Sequence, residues 1–486
     1  MKQFEDWLNG VTDPITAWLT TVNDWVYSWI VIIALVGTGI FLTFVTKGVQ
    51  FRHVRTMFQH LKRSRQGAKG GITSFQAFAI GMATRIGIGN ITGVALAMIL
   101  GGPGALFWMW VVAFFGMATA FSEATLAQLF KQRHPDGTFR GGPATYILHG
   151  TKSPFLAKLF AAFMVFCMVV AMPMVQANSI SGVLQSSHNV PLWISGAIIA
   201  IAAATVLIGG VRGIAKATEI ISPVMALVYI VTALAIIVLN LDALPDFFSA
   251  VFRSAFGLDE ALAGTAGGIF AAILNGTRRG LFSNEAGMGT NPNAAATATV
   301  DHPVSQGLIQ ALGVFLDTVI VSTATGFIIL TSGVVDLSGL DSTASSYLTS
   351  QAVMGSLGTW MAWPFSIMIF FFAFSSILGA YAYADANMVF LGWTSKIWER
   401  GAQALAVLSS GVGAILAVPF VWTLMDSAMA FVTVLNLIGV LALTRWITGA
   451  LKDFDEQHKQ GNEPVFNEDT ADLPSRLPTN GWVLTE

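Results

Sequence analysis

Ala83-Thr84-Arg85-Ile86-Gly87-Ile88-Gly89-Asn90-Ile91-Thr92-Gly93 lies in the middle of an apolar run over residues 74–100. A run of that length can cross a bilayer. An arginine at mid-depth in lipid costs at least ~2.5–3.5 kcal/mol, and a glycine in a helix interior costs ~1 kcal/mol relative to alanine. A plain hydrophobic anchor has no use for Arg85, Asn90, Gly87, Gly89 and Gly93. The pattern predicts a helix broken at the membrane midplane, with its freed backbone groups facing a polar cavity.

The whole chain supports a membrane reading. Of 486 residues, 54% are hydrophobic and only 11% are charged, against ~25% charged in soluble domains. A net charge of −2 carries no nucleic-acid signal. The single cysteine, Cys167, sits in an apolar run, which excludes a disulfide framework or a cysteine metal site. Residues 1–27 mix acidic side chains with Trp7, Trp18 and Trp25. They are expected as an extracytoplasmic segment in the membrane interface, the alternative being an amphipathic leader without a role of its own.

Apolar spans are predicted near 28–46, 74–100, 104–130, 155–185, 191–208, 218–240, 264–298, 304–332, 359–391, 404–424 and 427–447. Basic residues set the orientation. Lys47 to Lys69, Lys131 to Lys158, Arg212 and Lys216, Lys396 and Arg400, and Arg445 onward all fall on one side of an alternating eleven-span count. Only Lys2 and Arg253 fall on the other, while Arg85, Arg278 and Arg279 are intramembrane. The N-terminus is therefore expected outside and the C-terminus in the cytoplasm. Residues 28–450 form the expected eleven-helix domain, and the polar stretch 451–486 reads as a disordered cytoplasmic tail.

Span 264–298 repeats the anomaly. As one helix it would be ~52 Å long, against a hydrocarbon core of ~30 Å. Its centre, 275–289, holds four glycines with Arg278, Arg279 and Glu285, which predicts a second interruption. The two broken spans come first in units 74–240 and 264–447 and enter from opposite sides, as an inverted repeat demands. No residue-level repeat between the units is evident, so that inference rests on position and topology. A broken helix offers free N–H groups and partial positive charge where it restarts, and free carbonyls where it stops. Two such breaks side by side would hold an α-amino acid together with a small cation.

Several ordered runs carry a family resemblance: Gly-Ile-Gly-Asn-Ile-Thr-Gly-Val-Ala (87–95), Gly-Gly-Pro-Gly-Ala (101–105), Phe-Ser-Glu-Ala-Thr-Leu-Ala-Gln (121–128), Gly-Gly-Pro-Ala-Thr-Tyr (141–146) and Arg-Gly-Leu-Phe-Ser-Asn-Glu-Ala-Gly (279–287). Over residues 28–450 the chain resembles the alanine or glycine:cation symporter family. The resemblance implies an all-α polytopic membrane protein with a LeuT-type five-plus-five inverted repeat behind one extra N-terminal helix. It implies sodium-coupled uptake of small neutral amino acids (alanine, glycine, D-alanine) through a bacterial inner membrane. Sodium is then the coupling ion. No cofactor, no nucleic acid and no obligate protein partner is expected, and membrane lipid surrounds the chain.

Carried over residue by residue, the resemblance implies carboxylate contacts from the backbone of Gly87 and Gly89, with Thr84 and Asn90 beside them. Phe282, Ser283 and Asn284 at the second break, and Gln176 in Met-Pro-Met-Val-Gln-Ala-Asn (172–178), complete the implied substrate site. For Gln176 a packing amide beside a proline kink is the alternative. Implied sodium ligands are the carbonyls of Ala83 and Ile86 and the hydroxyls of Ser375 and Ser376; the serines could instead bond back to their own helix. Many family members follow that hydroxyl pair with an aromatic run ending Gly-Glu. Here Ala380-Tyr381-Ala382-Tyr383-Ala384-Asp385 stands in its place, which implies a different cavity or cytoplasmic gate.

The remaining intramembrane charges must be paired. Arg85 or Arg279 with Glu285 or Glu123 are the expected gates or braces, while Asp426 and Glu219, near span ends, are expected to face water. Proton coupling through Glu123 or Glu285 and an ion channel remain the competing functions. The seven histidines are scattered at or beyond span ends, and no P-loop occurs, so an enzyme is the weakest reading.

Overall fold

Peptide groups in lipid have no water to satisfy them, so apolar stretches must close their hydrogen bonds internally. The computed structural model describes residues 2–65, 72–133, 138–258, 266–333, 337 and 339–482; the side chains of 2–9, 210–219, 222, 266 and 267 lie outside that description. Among the described residues, six helices are long and apolar enough to cross a membrane: Gly10–Val45, Ala105–Leu129, Pro154–His188, Pro303–Thr331, Thr359–Phe390 and Val418–Ala442. Two bent pairs raise the number to eight. One is Ser74–Arg85 with Ile88–Gly101, bent by 48°; the other is Pro223–Leu239 with Leu241–Ala255, bent by 83°. A two-residue ladder of Gln132–Arg133 with Phe139–Arg140 lies in the segment after the Ala105–Leu129 helix.

The N-terminal residues are not a separate interfacial segment. Helix Lys2–Val26 runs through a π-helical turn, Tyr27–Val31, into Ile32–Val45. Val11, Ile15, Trp18, Val22 and Trp25 form an exposed apolar stripe, while Thr12, Asn23 and Tyr27 are buried. Trp18 and Trp25 thus belong to one long helical stretch, Gly10–Val45, that is long and apolar enough to cross a membrane.

The last two expected spans are also displaced. They run Lys396–Gly413 and Val418–Ala442, so the turn falls about ten residues earlier than predicted. Pro419 opens the second of these helices, where a missing N–H costs nothing. Asp426 is consequently inside that helix and buried, not facing water. Glu219 lies among the side chains outside the description.

The stretch from 451 is folded as far as 482. Helix Thr444–Lys459 is followed by a segment that packs back onto the protein. Phe466 N–H donates to Asp301 O (2.9 Å), and Trp482 Nε1 donates to Gln128 O (2.8 Å). Lys131 Nζ lies 4.3 Å from both the Phe139 and the Trp482 ring centroids. A few aromatic residues spaced through an acidic, proline-rich stretch are enough to anchor it, and composition alone averages them away.

Small residues set the spacing at the centre. The helix Ala266–Asn284 lies on Ala105–Leu129 through Gly276 and Gly280, where a Cβ at Gly280 would stand 3.4 Å from Met109 Cα. Close backbone approach of this kind substitutes for a hydrophobic driving force inside a membrane. The first broken helix starts at a capping box: Thr73 Oγ1 accepts from Gln76 N (3.1 Å) and Gln76 Oε1 accepts from Thr73 N (2.9 Å). A cap of this type contributes about 1 kcal/mol.

Candidate substrate and cation site

The first helix breaks where Arg85 ends it. Ile86 leaves the helical region (φ −76°, ψ 84°), Gly87 is extended, and Ile88–Asn90 make one 3-10 turn before the chain restarts at Thr92. The second break lies later than the 275–289 centre implies. Arg278, Arg279, Phe282, Ser283 and Asn284 are still helical, and the chain turns over 285–290 before a short helix Asn291–Ala295. Glu285 (φ 56°), Gly287 (φ 93°) and Gly289 (φ 78°) take the left-handed conformation in that turn.

Close approach favours glycine at 87 and 89. A Cβ at Gly87 would stand 2.5 Å from Ser376 Oγ, and one at Gly89 would stand 3.0 Å from Ser283 Cα. The first break therefore touches both the serine pair and the second broken helix.

Three of the four expected cation ligands come together. Ala83 O accepts from Ser376 Oγ (2.9 Å) and from Ser375 Oγ (3.4 Å). Both hydroxyls also lie near Phe372 O, at 3.1 and 2.9 Å, so back-bonding and the cross-helix contact coexist. All three residues are buried. The hydroxyl oxygens and the carbonyl of a terminating helix make a hard-oxygen cluster of the kind a small cation needs in place of water. Ile86 carries the backbone out of the helix one turn further along.

The first break is joined to the second broken helix through Asn90. Its Oδ1 accepts from Gly87 N (3.3 Å). Its Nδ2 faces Asp317 Oδ1 (2.6 Å), Asp317 O (3.0 Å), Ser283 Oγ (3.1 Å) and Ser322 Oγ (3.2 Å), sharing two protons among them. Ser283 Oγ donates to Asp317 Oδ2 (2.8 Å), as does Thr318 Oγ1 (2.7 Å). Asp317 lies in a π-helical stretch, Phe315–Ser322, a distortion frequent at functional sites. Nothing in the spacing of the sequence assigns Asp317 a partner. Its signal was a lone carboxylate in the middle of an apolar span.

The expected arginine–glutamate pairs do not form. Glu123 instead accepts from Gly287 N (3.1 Å), Gly289 N (3.2 Å) and Asn436 Nδ2, so the amides freed by the second break are held by a protein carboxylate. Glu285 Oε2 accepts from Thr290 Oγ1 (2.6 Å), Asn291 Nδ2 (2.8 Å) and Thr84 Oγ1 (3.2 Å). Tyr383 OH lies 3.1 Å from Thr84 Oγ1 and 3.2 Å from Asn291 Oδ1. Thr84 thus belongs to a Glu285 network, not to the Asn90 side of the break. Arg85 Nη1 donates to Gln310 O and Oε1, both at 3.1 Å, and Gly313 leaves it room. Arg279 pairs with Asp426, which the earlier turn brings into the helix Val418–Ala442. Arg140 lies 3.8 Å from Asp385.

Of the other expected contacts, Gln176 Nε2 meets Met172 Sδ (3.2 Å), and its Oε1 is buried without a hydrogen-bond partner. Asn284 Oδ1 caps its own turn by accepting from Ala286 N (2.9 Å). Phe282 meets Trp422 edge to face at 4.9 Å. Trp422 and Asn436, both on the helix Val418–Ala442, carry no local signal in the sequence.

Broken apolar helices around a buried oxygen cluster are the architecture of a multi-pass membrane protein, and the family match makes it a transporter and not an enzyme. The chain belongs to the sodium:alanine symporter family, whose model matches residues 12–468. It is 40% identical over 451 residues to the probable sodium/glutamine symporter GlnT of Bacillus subtilis (strain 168), with 92% of each chain covered. It is 38% identical to the sodium/alanine symporter AgcS of Methanococcus maripaludis, covering 91% of this chain and 97% of that one. The amino-acid carrier protein AlsT of Bacillus subtilis is 39% identical, with 95% and 96% covered.

Proposed function

We propose that the chain is a sodium-coupled symporter importing small neutral amino acids (alanine, glycine or D-alanine) by alternating access. The proposal includes an eleven-span arrangement of LeuT type, with the N-terminus outside and the C-terminus in the cytoplasm of a bacterial inner membrane. The observation that carries it is the pairing of Ala83 O with Ser375 and Ser376 at the stopping end of the first half-helix. Sodium sits there. The amino acid lies against the backbone of Gly87 and Gly89, under the Phe282–Trp422 pair, with Gln176 Oε1 free to accept from its amino group. Asp317 supplies a buried carboxylate where the first break meets the second broken helix.

The energetics suffice. A tenfold sodium gradient provides ~1.4 kcal/mol, and a 100 mV potential adds ~2.3 kcal/mol per charge. One sodium per zwitterion then sustains roughly several-hundred-fold accumulation. Glu123 is held by two backbone amides and Asn436, which favours a brace over a proton carrier.

The name of GlnT makes glutamine the competing substrate. Uptake of labelled alanine, glycine and glutamine into proteoliposomes, with and without a sodium gradient, tests both points. Sodium-dependent alanine or glycine uptake supports the proposal. Sodium-independent uptake, or glutamine transported in preference, overturns it.

A further inference from the structure

The two neighbouring arginines on the outer part of the second broken helix go to different partners. Arg279 pairs with Asp426 on the last span and lies over the Trp422 ring, 4.6 Å from its centroid. Arg278 Nη2 reaches Asp24 Oδ1 (2.8 Å) on the N-terminal helix and lies over Tyr27, 4.7 Å from the ring centroid. The N-terminal helix is in turn fastened to the last span by neutral bonds. Asn23 Nδ2 donates to Thr423 O (2.9 Å), Ser427 Oγ donates to Asn23 Oδ1 (2.9 Å), and Tyr27 OH donates to the backbone carbonyl of Asp426 (3.0 Å). Asn23 and Tyr27 are buried, whereas the Asp24 side chain is 52% exposed.

That asymmetry divides the labour. The N-terminal helix is built into the last span, and among the described residues its hold on the second broken helix is the Asp24–Arg278 pair, beside the Arg278–Tyr27 ring contact. Any outward path between Phe282 and Trp422 requires the broken helix and the last span to part. The N-terminal helix travels with the last span, so parting breaks Arg278–Asp24 together with Arg279–Asp426.

We propose that the first helix is an outer latch, in which Asp24 holds Arg278 and thereby keeps the second broken helix closed against the last span. This rests on the transporter reading above, and Asp24 acts through Arg278 as a positioning residue. A half-exposed ion pair has modest worth, so its loss shifts the closed–open balance severalfold without unfolding the chain.

The test places a reporter under the closure. A Cβ at Gly93 would make ordinary contacts with Trp422 (3.7 Å) and Phe282 (3.9 Å), so Gly93→Cys is tolerated there, and the one native cysteine, Cys167, is fully buried. The full-length protein in oriented vesicles is labelled from outside with a membrane-impermeant maleimide. Asp24→Asn is expected to raise the labelling rate about threefold. Asp24→Glu should stay near the parent rate, and the charge swap Asp24→Arg with Arg278→Asp should return towards it. In the protein without the Gly93→Cys reporter, Asp24→Asn should also lower the KM for external alanine more than it changes kcat, since a larger competent fraction raises apparent affinity. Unchanged labelling in Asp24→Asn, or a swap that labels no more slowly than Asp24→Asn, overturns the latch. Because labelling needs neither sodium nor substrate, a failure of the symport reading leaves this comparison intact.

Discussion

Asn90 Nδ2 stands 2.6 Å from Asp317 Oδ1, and Ser283 Oγ reaches the other oxygen of the same carboxylate at 2.8 Å. One buried aspartate thus ties the first break to the second broken helix. Asp317→Asn replaces charge-assisted bonds, each worth ~1.5–3 kcal/mol, with neutral ones. Initial uptake is expected to fall about tenfold or more, with folded protein still recoverable by size-exclusion chromatography. Full uptake in that variant would remove Asp317 from the site.

Ser376 and Ser375 differ in their approach to Ala83 O, 2.9 against 3.4 Å. Ser376→Ala is therefore expected to raise the sodium concentration for half-maximal uptake about tenfold, a change of about 1.4 kcal/mol, and Ser375→Ala less. A sodium titration of initial rates decides it; an unchanged sodium response in Ser376→Ala would move the cation elsewhere.

Glu123 satisfies amides that the left-handed turn at Gly287 and Gly289 cannot bond within a helix. Glu123→Gln keeps the shape and loses the charge. It should cost about 1–3 kcal/mol of stability, visible as a lower Tm in detergent, at any sodium concentration. A Tm equal to that of the parent would mean the turn holds itself.

How much of this was legible follows from the range of each signal. The first break was readable because its signs are local: arginine, asparagine and three glycines inside one apolar run. The Ala83–Ser376 contact followed from a family resemblance, not from spacing. The partners of Arg279 and Arg85 were not readable, since pairing across helices depends on where each helix turns. The apolar stretch 404–447 hid a turn at 414–417, and so misplaced Asp426. The folded stretch after Lys459 was missed for the opposite reason: Phe466 and Trp482 are diluted by polar neighbours.

That C-terminal region carries a pH dependence. His53, His60, His302 and His458 surround the Phe454 ring, with centroids 5.1–5.9 Å away. Burial first, then Arg63 and the other three histidines, push His60 down to about 4 from its ordinary 6.5. A released histidine takes up a proton more readily than the packed one. Packing is therefore fully favoured above about pH 6.5 and is progressively lost as pH falls towards 4. Limited proteolysis near residues 460–482 should be faster at pH 5 than at pH 7.5, and His60→Gln should flatten the difference. Cleavage that ignores pH would contradict this assignment.

The central claim is that sodium and a small amino acid cross together through the two breaks. Proteoliposomes loaded without sodium and diluted into labelled alanine test it most directly. An inward sodium gradient should drive accumulation above the external concentration, abolished when sodium is replaced by potassium. Equal accumulation in the two salts would contradict it.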